Sequence, residues 1–180
     1  WKQYGEVSVN SSDGLLIFNY THAAQYEARW NFFECISRGL ILDAKTGEIM
    51  ARPFDKFWNW GERSGKSDAV IVSVTEKVDG SLGILYRRNG EHKIATRGSF
   101  VSEQALWATD FLAKNHRLDG LSPEITLLFE IIYPENRIVV DYRGRRALVL
   151  LAARNRFTGE YLSNVDWIAA QYSFPRPVYY

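Results

Sequence analysis

The sequence lacks several features that would each indicate a particular class of protein. It has a single cysteine, Cys35, which excludes an internal disulfide and a metal site built from several thiolates. No apolar run approaches the roughly 20 residues that a membrane-spanning helix needs, and no signal-peptide pattern opens the chain. The net charge is only +1, so no overall basic bias indicates a nucleic-acid-binding protein. We therefore expect a cytoplasmic protein in which any contact with RNA depends on local patches.

The composition is that of one ordinary globular domain. The chain has 180 residues, of which 46% are hydrophobic and 24% are charged, and these values are typical of globular proteins. We find no internal repeat, low-complexity tract or long linker that would divide it. Strands outnumber helices among the predicted elements and hairpin signals recur, which favours an α+β fold with mostly antiparallel sheets.

Hydrophobic periodicity and capping signals place the elements along the chain. Helices are predicted at 22–33, with Thr21 as N-cap, and from Ser102, as the second N-cap, to about residue 114. The turn Asn89-Gly90 joins two strands as a tight hairpin, and a polar loop is predicted at 61–68. Strands are predicted at 36–42, 49–51, 69–74, 82–87, 92–96, 125–132 and 146–153.

The segment 77–81 lies in a polar break between two apolar predicted strands and reads Lys-Val-Asp-Gly-Ser. A lysine can attack phosphorus only as a neutral amine, and a turn at the mouth of a sheet would present Lys77 to a cleft. Asp79 would orient the amine or contact a ribose, and Gly80 would hold the turn. Taken alone, this four-position pattern arises often by chance and favours a solvated hairpin with Lys77 and Asp79 at its tip.

A second candidate, Glu130, lies inside an apolar predicted strand. Period-two alternation puts it on the same face as Leu128 and Ile132. A carboxylate in that position costs free energy unless it is paired, hydrogen-bonded or bound to a metal or a ligand hydroxyl. The strand alone does not separate a functional role from a structural salt bridge with Arg137 or Arg143.

Taken together, Lys77-x-Asp79-Gly80 and Phe129-Glu130 resemble motifs I and III of the covalent nucleotidyltransferases, which include DNA ligases, RNA ligases and mRNA capping enzymes. Further collinear segments narrow the resemblance to the RNA ligase of T-even phages and its relatives. These segments are SRGLI at 37–41, ARPFDKFWN at 51–59, RGS at 97–99, SEQA at 102–105, PENRIVV at 134–140 and TGEY at 158–161. The resemblance implies the nucleotidyltransferase fold, which is ATP-grasp-like, with mostly antiparallel sheets flanked by helices.

The resemblance also implies an activity and the residues that carry it out. It is that of an ATP-dependent RNA ligase in which Lys77 accepts AMP from ATP and passes it to an RNA 5′-phosphate. An RNA 3′-hydroxyl then displaces the AMP and seals the strand. In this scheme Asp79 belongs to the catalytic motif, and Glu130 lies near the ribose or in the water shell of a bound Mg²⁺ ion.

Further residues are matched to nucleotide contacts by the same resemblance. Arg38 and Lys56 would contact the ATP phosphates, and Arg97 takes the place of a lysine in the family pattern. Trp58 stands where relatives carry an aromatic residue that contacts the nucleotide, and Glu76 is a candidate for recognising adenine. A salt bridge for Arg38 and a place in the core for Trp58 remain alternatives.

The sequence departs from the family pattern downstream of the last predicted strand. The carboxylate of motif IV and the two lysines of motif V do not appear. We therefore expect residues 1–180 to form a partial nucleotidyltransferase domain, truncated before motifs IV and V and lacking the RNA-specificity domain. Because motif V lysines approach the α-phosphate, adenylylation by these residues alone is expected to be weak or absent.

Two other functions stay open from the sequence. One is a non-catalytic module that binds nucleotide or RNA reversibly after losing motifs IV and V. The other is a different covalent nucleotidyltransferase, either a DNA ligase or a capping enzyme. The collinear segments outside motifs I and III argue against the second alternative.

Overall fold

The computed structural model describes residues 6–59, 62, 70, 71 and 73–180, and these form two antiparallel sheets. In the first sheet the order is β1 (Val7–Ser12), β2 (Leu15–Tyr20), β3 (Arg38–Asp43) and β4 (Ile49–Ala51). In the second it is β6 (Glu91–Ala95), β5 (Ser81–Arg88), β7 (Ile125–Ile132) and β8 (Ala147–Asn155). The helices are α1 (His22–Tyr26), α2 (Phe32–Ile36), α3 (Glu103–Asn115) and α4 (Val165–Gln171), with a 3₁₀ turn at Pro134–Asn136. The predicted α+β class is confirmed.

The sheets and helices pack in layers. Ile41 of the first sheet and Ile84 and Leu128 of the second meet in a buried cluster between the two sheets. The opposite face of the second sheet is covered by α3 and α4, which contribute Leu112 and Ile168 to the largest core cluster. Helix α2 packs on the outer face of the first sheet. No helix in the described residues is long and apolar enough to cross a membrane.

Alternation along β7 places Glu130 as the sequence predicts. Leu127, Phe129 and Ile131 point into the core beneath α3 and α4, whereas Leu128 points into the space between the sheets. Glu130 follows Leu128 by two residues and therefore lies on the inter-sheet face of β7. The second sheet thus carries one carboxylate into the gap between the sheets.

The predicted helix 22–33 is two short helices instead of one. Thr21 caps α1 as expected, and its hydroxyl accepts a hydrogen bond from a backbone amide at 3.2 Å. The chain then leaves the helical conformation at Ala28, which has a φ of +53°. Asn31 and Glu34 form a reciprocal capping box that starts α2. The second start signal interrupts the helix that periodicity alone predicts.

The predicted strand 69–74 is wrong for the residues that the structure describes. Val70 and Ile71 are 83% and 67% exposed and belong to no strand, and pairing begins only at Thr75, which forms a bridge with Tyr179. β-Branched residues favour strands because they pack on a pleated, half-buried surface, and Val70 and Ile71 have no such surface. Residues 69 and 72 of this prediction, and all of the predicted loop 61–68 except Glu62, lie outside the described residues.

Candidate active site

A cavity of about 920 Å³ opens between the two sheets, within the range of roughly 300–1,000 Å³ that is usual for small-molecule sites. Its lining joins residues that are far apart in the sequence. Of the nine predicted site residues, six line this cavity: Arg38, Glu76, Lys77, Gly80, Arg97 and Glu130. The other three, Lys56, Trp58 and Asp79, do not line it.

The turn that carries Lys77 is held directly against β7. The backbone amide of Gly80 donates a 2.9 Å hydrogen bond to Oε1 of Glu130. A Cβ atom at position 80 would lie only 2.4 Å from the carbonyl oxygen of Ile131, so the close approach requires glycine. Lys77 itself is exposed, and its ammonium group forms no hydrogen bond or ion pair with any described residue. Its amine is therefore free to approach a molecule in the cavity.

Glu130 is a largely buried carboxylate. Burial raises its pKa to about 6, while the hydrogen bond from Gly80 and the positive charges of Lys77 and Arg38 act in the opposite direction. The alternative salt bridge is not present, because Arg137 pairs with Asp141 at 3.3 Å and no described cation forms an ion pair with Glu130. The Glu130 carboxylate thus lines the cavity, and one of its oxygens is hydrogen-bonded to the backbone amide of Gly80.

Arg38 and Arg97 bring two positive charges to the same side of the cavity. Burial lowers the pKa of Arg38, and the neighbouring charge of Arg97 adds to this effect. The Nη1 atom of Arg38 is buried without a hydrogen-bond partner among the described residues. Arg97 donates a 3.1 Å hydrogen bond to the hydroxyl of Tyr20. A partly buried guanidinium whose buried Nη1 donor is unused is suited to an anionic ligand, because leaving such a donor unpaired costs free energy.

Asp79 points away from the cavity. Its Oδ2 atom accepts hydrogen bonds from the backbone amides of Val139 at 2.8 Å and Val140 at 2.9 Å. Those two bonds lower the pKa of Asp79, and the charge of Lys77 adds to the effect. The backbone amide of Asp79 also donates to the hydroxyl of Tyr142 at 2.8 Å. In this structure Asp79 therefore joins the Lys77 turn to the loop that follows β7.

In the segment 56–58 the aromatic residue that lines the cavity is Phe57, whereas the family resemblance indicates Trp58. Lys56 donates a 2.6 Å hydrogen bond to the carbonyl of Phe57, and its Nζ atom lies 5.1 Å from the ring centres of both Trp30 and Trp58. Phe57, by contrast, lines the cavity and lies 4.6 Å beneath the guanidinium of Arg38. Lys56 therefore packs against Trp30 and Trp58, and neither Lys56 nor Trp58 lines the cavity.

Several cavity residues were not found from the sequence. Asn19 had a recognisable signal, because it is a polar residue in the apolar strand β2, and its Oδ1 atom is buried without a partner among the described residues. Phe57, Gln104 and Arg176 had no such signal. Arg176 also lines the cavity, but its guanidinium is bonded to the carbonyls of Leu150 and Leu151 and to Asp166. No three His, Cys, Asp or Glu side chains in the described part of the chain are grouped to hold a metal ion.

Comparison with solved structures defines the class of this fold. An archaeal ATP-dependent RNA ligase matches 97% of this chain and 47% of its own chain, with a TM-score of 0.63 and 16% identity. A candidate ATP-dependent DNA ligase from Aquifex aeolicus matches 99% of this chain and 48% of its own, with a TM-score of 0.56 and 16% identity. The chain has the nucleotidyltransferase fold of the ATP-dependent ligases, as the motifs predict.

Sequence comparison identifies the family. The RNA ligase family model of the T4 type matches residues 36–178, and the chain belongs to this family. It is 32% identical over 174 residues to a candidate bifunctional polynucleotide kinase/RNA ligase of Autographa californica nuclear polyhedrosis virus, covering 82% of this chain and 25% of that protein. It is 31% identical over 146 residues to RNA ligase 1 of bacteriophage TS2126, covering 69% and 35%. The chain thus spans about a quarter to a third of the length of these relatives.

Proposed function

We propose that the protein to which this chain belongs is an ATP-dependent RNA ligase and that Lys77 is its AMP acceptor. The observation that carries the proposal is the convergence of Lys77, Glu130 and Arg38 on one cavity of nucleotide size. These residues come from three separate parts of the chain, so a solvated hairpin would not bring them together. We further propose that the 180 residues form the nucleotide-binding part of the enzyme.

In the first step the neutral amine of Lys77 attacks the α-phosphorus of ATP. A nitrogen–phosphorus bond forms, the bond to the β-phosphate oxygen breaks, and pyrophosphate leaves while the amine gives up a proton. Arg38 and Arg97 contribute positive charge on the wall of the cavity, where the phosphates would carry their negative charge. The free donor of Arg38 supports this assignment, because a phosphate oxygen would satisfy it.

Glu130 is the residue suited to hold magnesium. Mg²⁺ is usually bound by one or two carboxylates together with substrate phosphates, and Glu130 supplies one carboxylate with an oxygen not bonded to Gly80. When bound, the ion supplies positive charge that neutralises the leaving pyrophosphate. The same carboxylate is also placed to accept a hydrogen bond from a ribose hydroxyl.

In the later steps the adenylate passes to RNA. An oxygen of the RNA 5′-phosphate attacks the AMP phosphorus, and the nitrogen–phosphorus bond breaks and restores Lys77. An RNA 3′-hydroxyl then attacks the 5′-phosphate, and AMP leaves as the phosphodiester forms. ATP is therefore consumed as a substrate, and RNA ends are the acceptors.

The proposal is tested by intact-mass spectrometry after incubation with ATP and magnesium. The parent chain, Lys77→Arg and the control Lys45→Arg are compared, because Lys45 is an exposed lysine in the turn before β4. We expect one AMP on the longer parent protein and on the same protein with the control substitution, and none on Lys77→Arg. On residues 1–180 alone the yield of AMP adduct is expected to be weak or absent. An adduct on Lys77→Arg would overturn the assignment of the nucleophile.

Two further comparisons separate the alternatives. Reversible ATP binding without a covalent product, in the longer protein as well as in this chain, would favour a non-catalytic binding module. Labelling by GTP, or transfer of AMP to DNA ends in preference to RNA ends, would favour a capping enzyme or a DNA ligase.

A further inference from the structure

The loop between β7 and β8 has a larger net positive charge than the whole chain. The segment 137–146, referred to as the basic loop, reads RIVVDYRGRR and contains four arginines and one aspartate. Its net charge is +3, whereas that of the whole chain is +1. The basic loop is therefore a local positive patch on a chain with almost no overall charge.

Two of the four arginines are available for a ligand. Arg137 pairs with Asp141 at 3.3 Å, and Arg146 pairs with Glu135 at 3.4 Å. Arg143 and Arg145 are exposed, and their guanidinium groups form no ion pair with any described residue. Their charge is thus not offset by a neighbouring carboxylate.

The basic loop is attached directly to the turn that carries Lys77. Both hydrogen bonds accepted by the Asp79 carboxylate come from this loop, and Tyr142 of the loop accepts a third from the Asp79 backbone. Asp79 follows Lys77 by two residues, a separation of at most about 7 Å along the chain. The loop therefore contacts the turn two residues away from the lysine that would carry AMP.

A second hollow lies on the far side of the same turn. It has a volume of about 250 Å³ and is lined by Asp79, Arg137, Tyr142 and Arg145, among others. It shares no lining residue with the larger cavity, although Val78 and Gly80, the neighbours of Asp79, line that cavity. The turn thus separates a nucleotide-sized cavity from a basic hollow.

We propose that the basic loop binds the phosphodiester backbone of the RNA strand whose 5′-phosphate receives AMP, with Arg143 and Arg145 as its phosphate contacts. The inference rests on the proposed function, because it concerns the acceptor of that reaction. An RNA 5′-end must reach the AMP phosphorus near Lys77 while the rest of the strand lies outside the nucleotide cavity. The basic loop is the charged surface that the structure places beside that turn.

One other basic hollow on the chain provides a matched comparison. It has a volume of about 500 Å³, lies between the β5–β6 hairpin and the end of α3, and is lined by Arg87, Lys93 and Arg117. Arg87 and Arg117 are exposed and form no ion pair with a described residue. This hollow shares no residue with the nucleotide cavity or with the basic loop.

The test measures the salt dependence of RNA binding. Fluorescence anisotropy with a 5′-phosphorylated single-stranded RNA is recorded between about 50 and 200 mM salt. The variants are Arg143→Gln/Arg145→Gln and the control Arg87→Gln/Arg117→Gln, which remove the same charge. Glutamine keeps a Cβ at position 143, where φ is +51°, so the backbone cost there is unchanged. The slope of log K against log[salt] is negative, and for each lost phosphate contact it becomes less steep by about 0.7.

We expect the slope to become less steep by about 1.4 in the Arg143/Arg145 variant and to stay unchanged in the control. Lysyl–AMP formation from ATP, which needs no RNA, should be the same in all three proteins. The inference would be overturned by equal slopes in parent and variant, by an equal or larger loss of steepness in the control, or by the absence of salt-dependent RNA binding by the parent. Absence of lysyl–AMP formation in the longer parent protein would instead contradict the proposed function, so the two failures are distinguishable.

Discussion

The carboxylate of Glu130 accepts a hydrogen bond from the backbone amide of Gly80 at 2.9 Å, across a separation of 50 residues. This contact joins the turn after Lys77 to β7, one of the two inner strands of the second sheet. It places a charged side chain, a backbone donor and the lysine on one wall of the cavity. The geometry of the proposed chemistry therefore depends on how closely the turn and β7 approach each other.

Replacing Glu130 with glutamine should change how stability depends on pH. The pKa of Glu130 is raised from 4.5 to about 6, so between these values the folded protein binds a proton that the unfolded chain does not. The free energy of unfolding of the parent therefore falls as pH rises through this window. Glutamine does not titrate. As pH rises from about 4 to about 7, the free energy of unfolding of Glu130→Gln should therefore increase by up to about 2 kcal/mol relative to that of the parent. Urea denaturation across that range measures the difference, and parallel curves would contradict it.

Gly80→Ala should be strongly destabilising at the site. The added methyl group would lie 2.4 Å from the Ile131 carbonyl oxygen, so either the turn or β7 has to move. We expect a loss of about 1–3 kcal/mol together with loss of lysyl–AMP formation. Gly98→Ala is the control for stability, because its Cβ would have no neighbour closer than 3.8 Å. Equal melting temperatures for the two variants would show that the close approach at Gly80 is not required.

Arg38→Gln should weaken the interaction with ATP. Arg38 is partly buried, and its Nη1 atom is buried without a partner among the described residues, so a phosphate would gain a charge-assisted hydrogen bond there. Loss of such a bond costs roughly 1.5–3 kcal/mol, or about 10- to 150-fold in affinity. The control Arg88→Gln removes an equal charge that is paired with Asp13 and Asp43. Calorimetric titration with ATP should give a large loss for Arg38→Gln and little change for the control.

Phe57→Ala should affect the use of ATP more than Trp58→Ala does. Phe57 lines the cavity beneath Arg38, whereas Trp58 lies beside Lys56 outside it. The concentration of ATP that gives half-maximal lysyl–AMP formation should therefore rise in Phe57→Ala and remain close to the parent value in Trp58→Ala. A larger rise of this ATP concentration in Trp58→Ala than in Phe57→Ala would show that the nucleotide contacts Trp58, as the family resemblance indicates.

Arg154→Met should lower global stability without removing a cavity residue. Arg154 is buried on β8 and binds both carboxylate oxygens of Asp55, at 3.1 and 2.7 Å, and the carbonyl of Pro53. Removing one partner of a fully buried pair costs about 3–5 kcal/mol, and since Asp55 is partly exposed we expect about 2–3 kcal/mol. The control Arg137→Met breaks an exposed pair and should cost less than about 1 kcal/mol. Chemical denaturation of both variants provides the comparison.

The sequence by itself determined the elements whose signals are local. The antiparallel strands of the second sheet, the Asn89-Gly90 turn and the Ser102 cap of α3 lie where alternation, positive-φ residues and capping chemistry predict them. The order of the family motifs was also readable, because a motif is a run of neighbouring residues. Local signals gave a wrong prediction where two of them competed. The capping box of Asn31 and Glu34 divides the single helix that periodicity predicts at 22–33. Local signals failed again at 69–74, where β-branched residues have no sheet to pack on.

The tertiary structure decided which side chains share the cavity. Nothing in the sequence distinguishes Phe57 from Trp58, or shows that Asp79 faces the basic loop while Lys77 lines the cavity. The orientation of Asp79 depends on hydrogen bonds from Val139 and Val140, and that of Phe57 on its contact with Arg38. The physical reason is that hydrogen-bond satisfaction and close packing are properties of the assembled sheets, and they select one direction for each side chain only after distant strands have met.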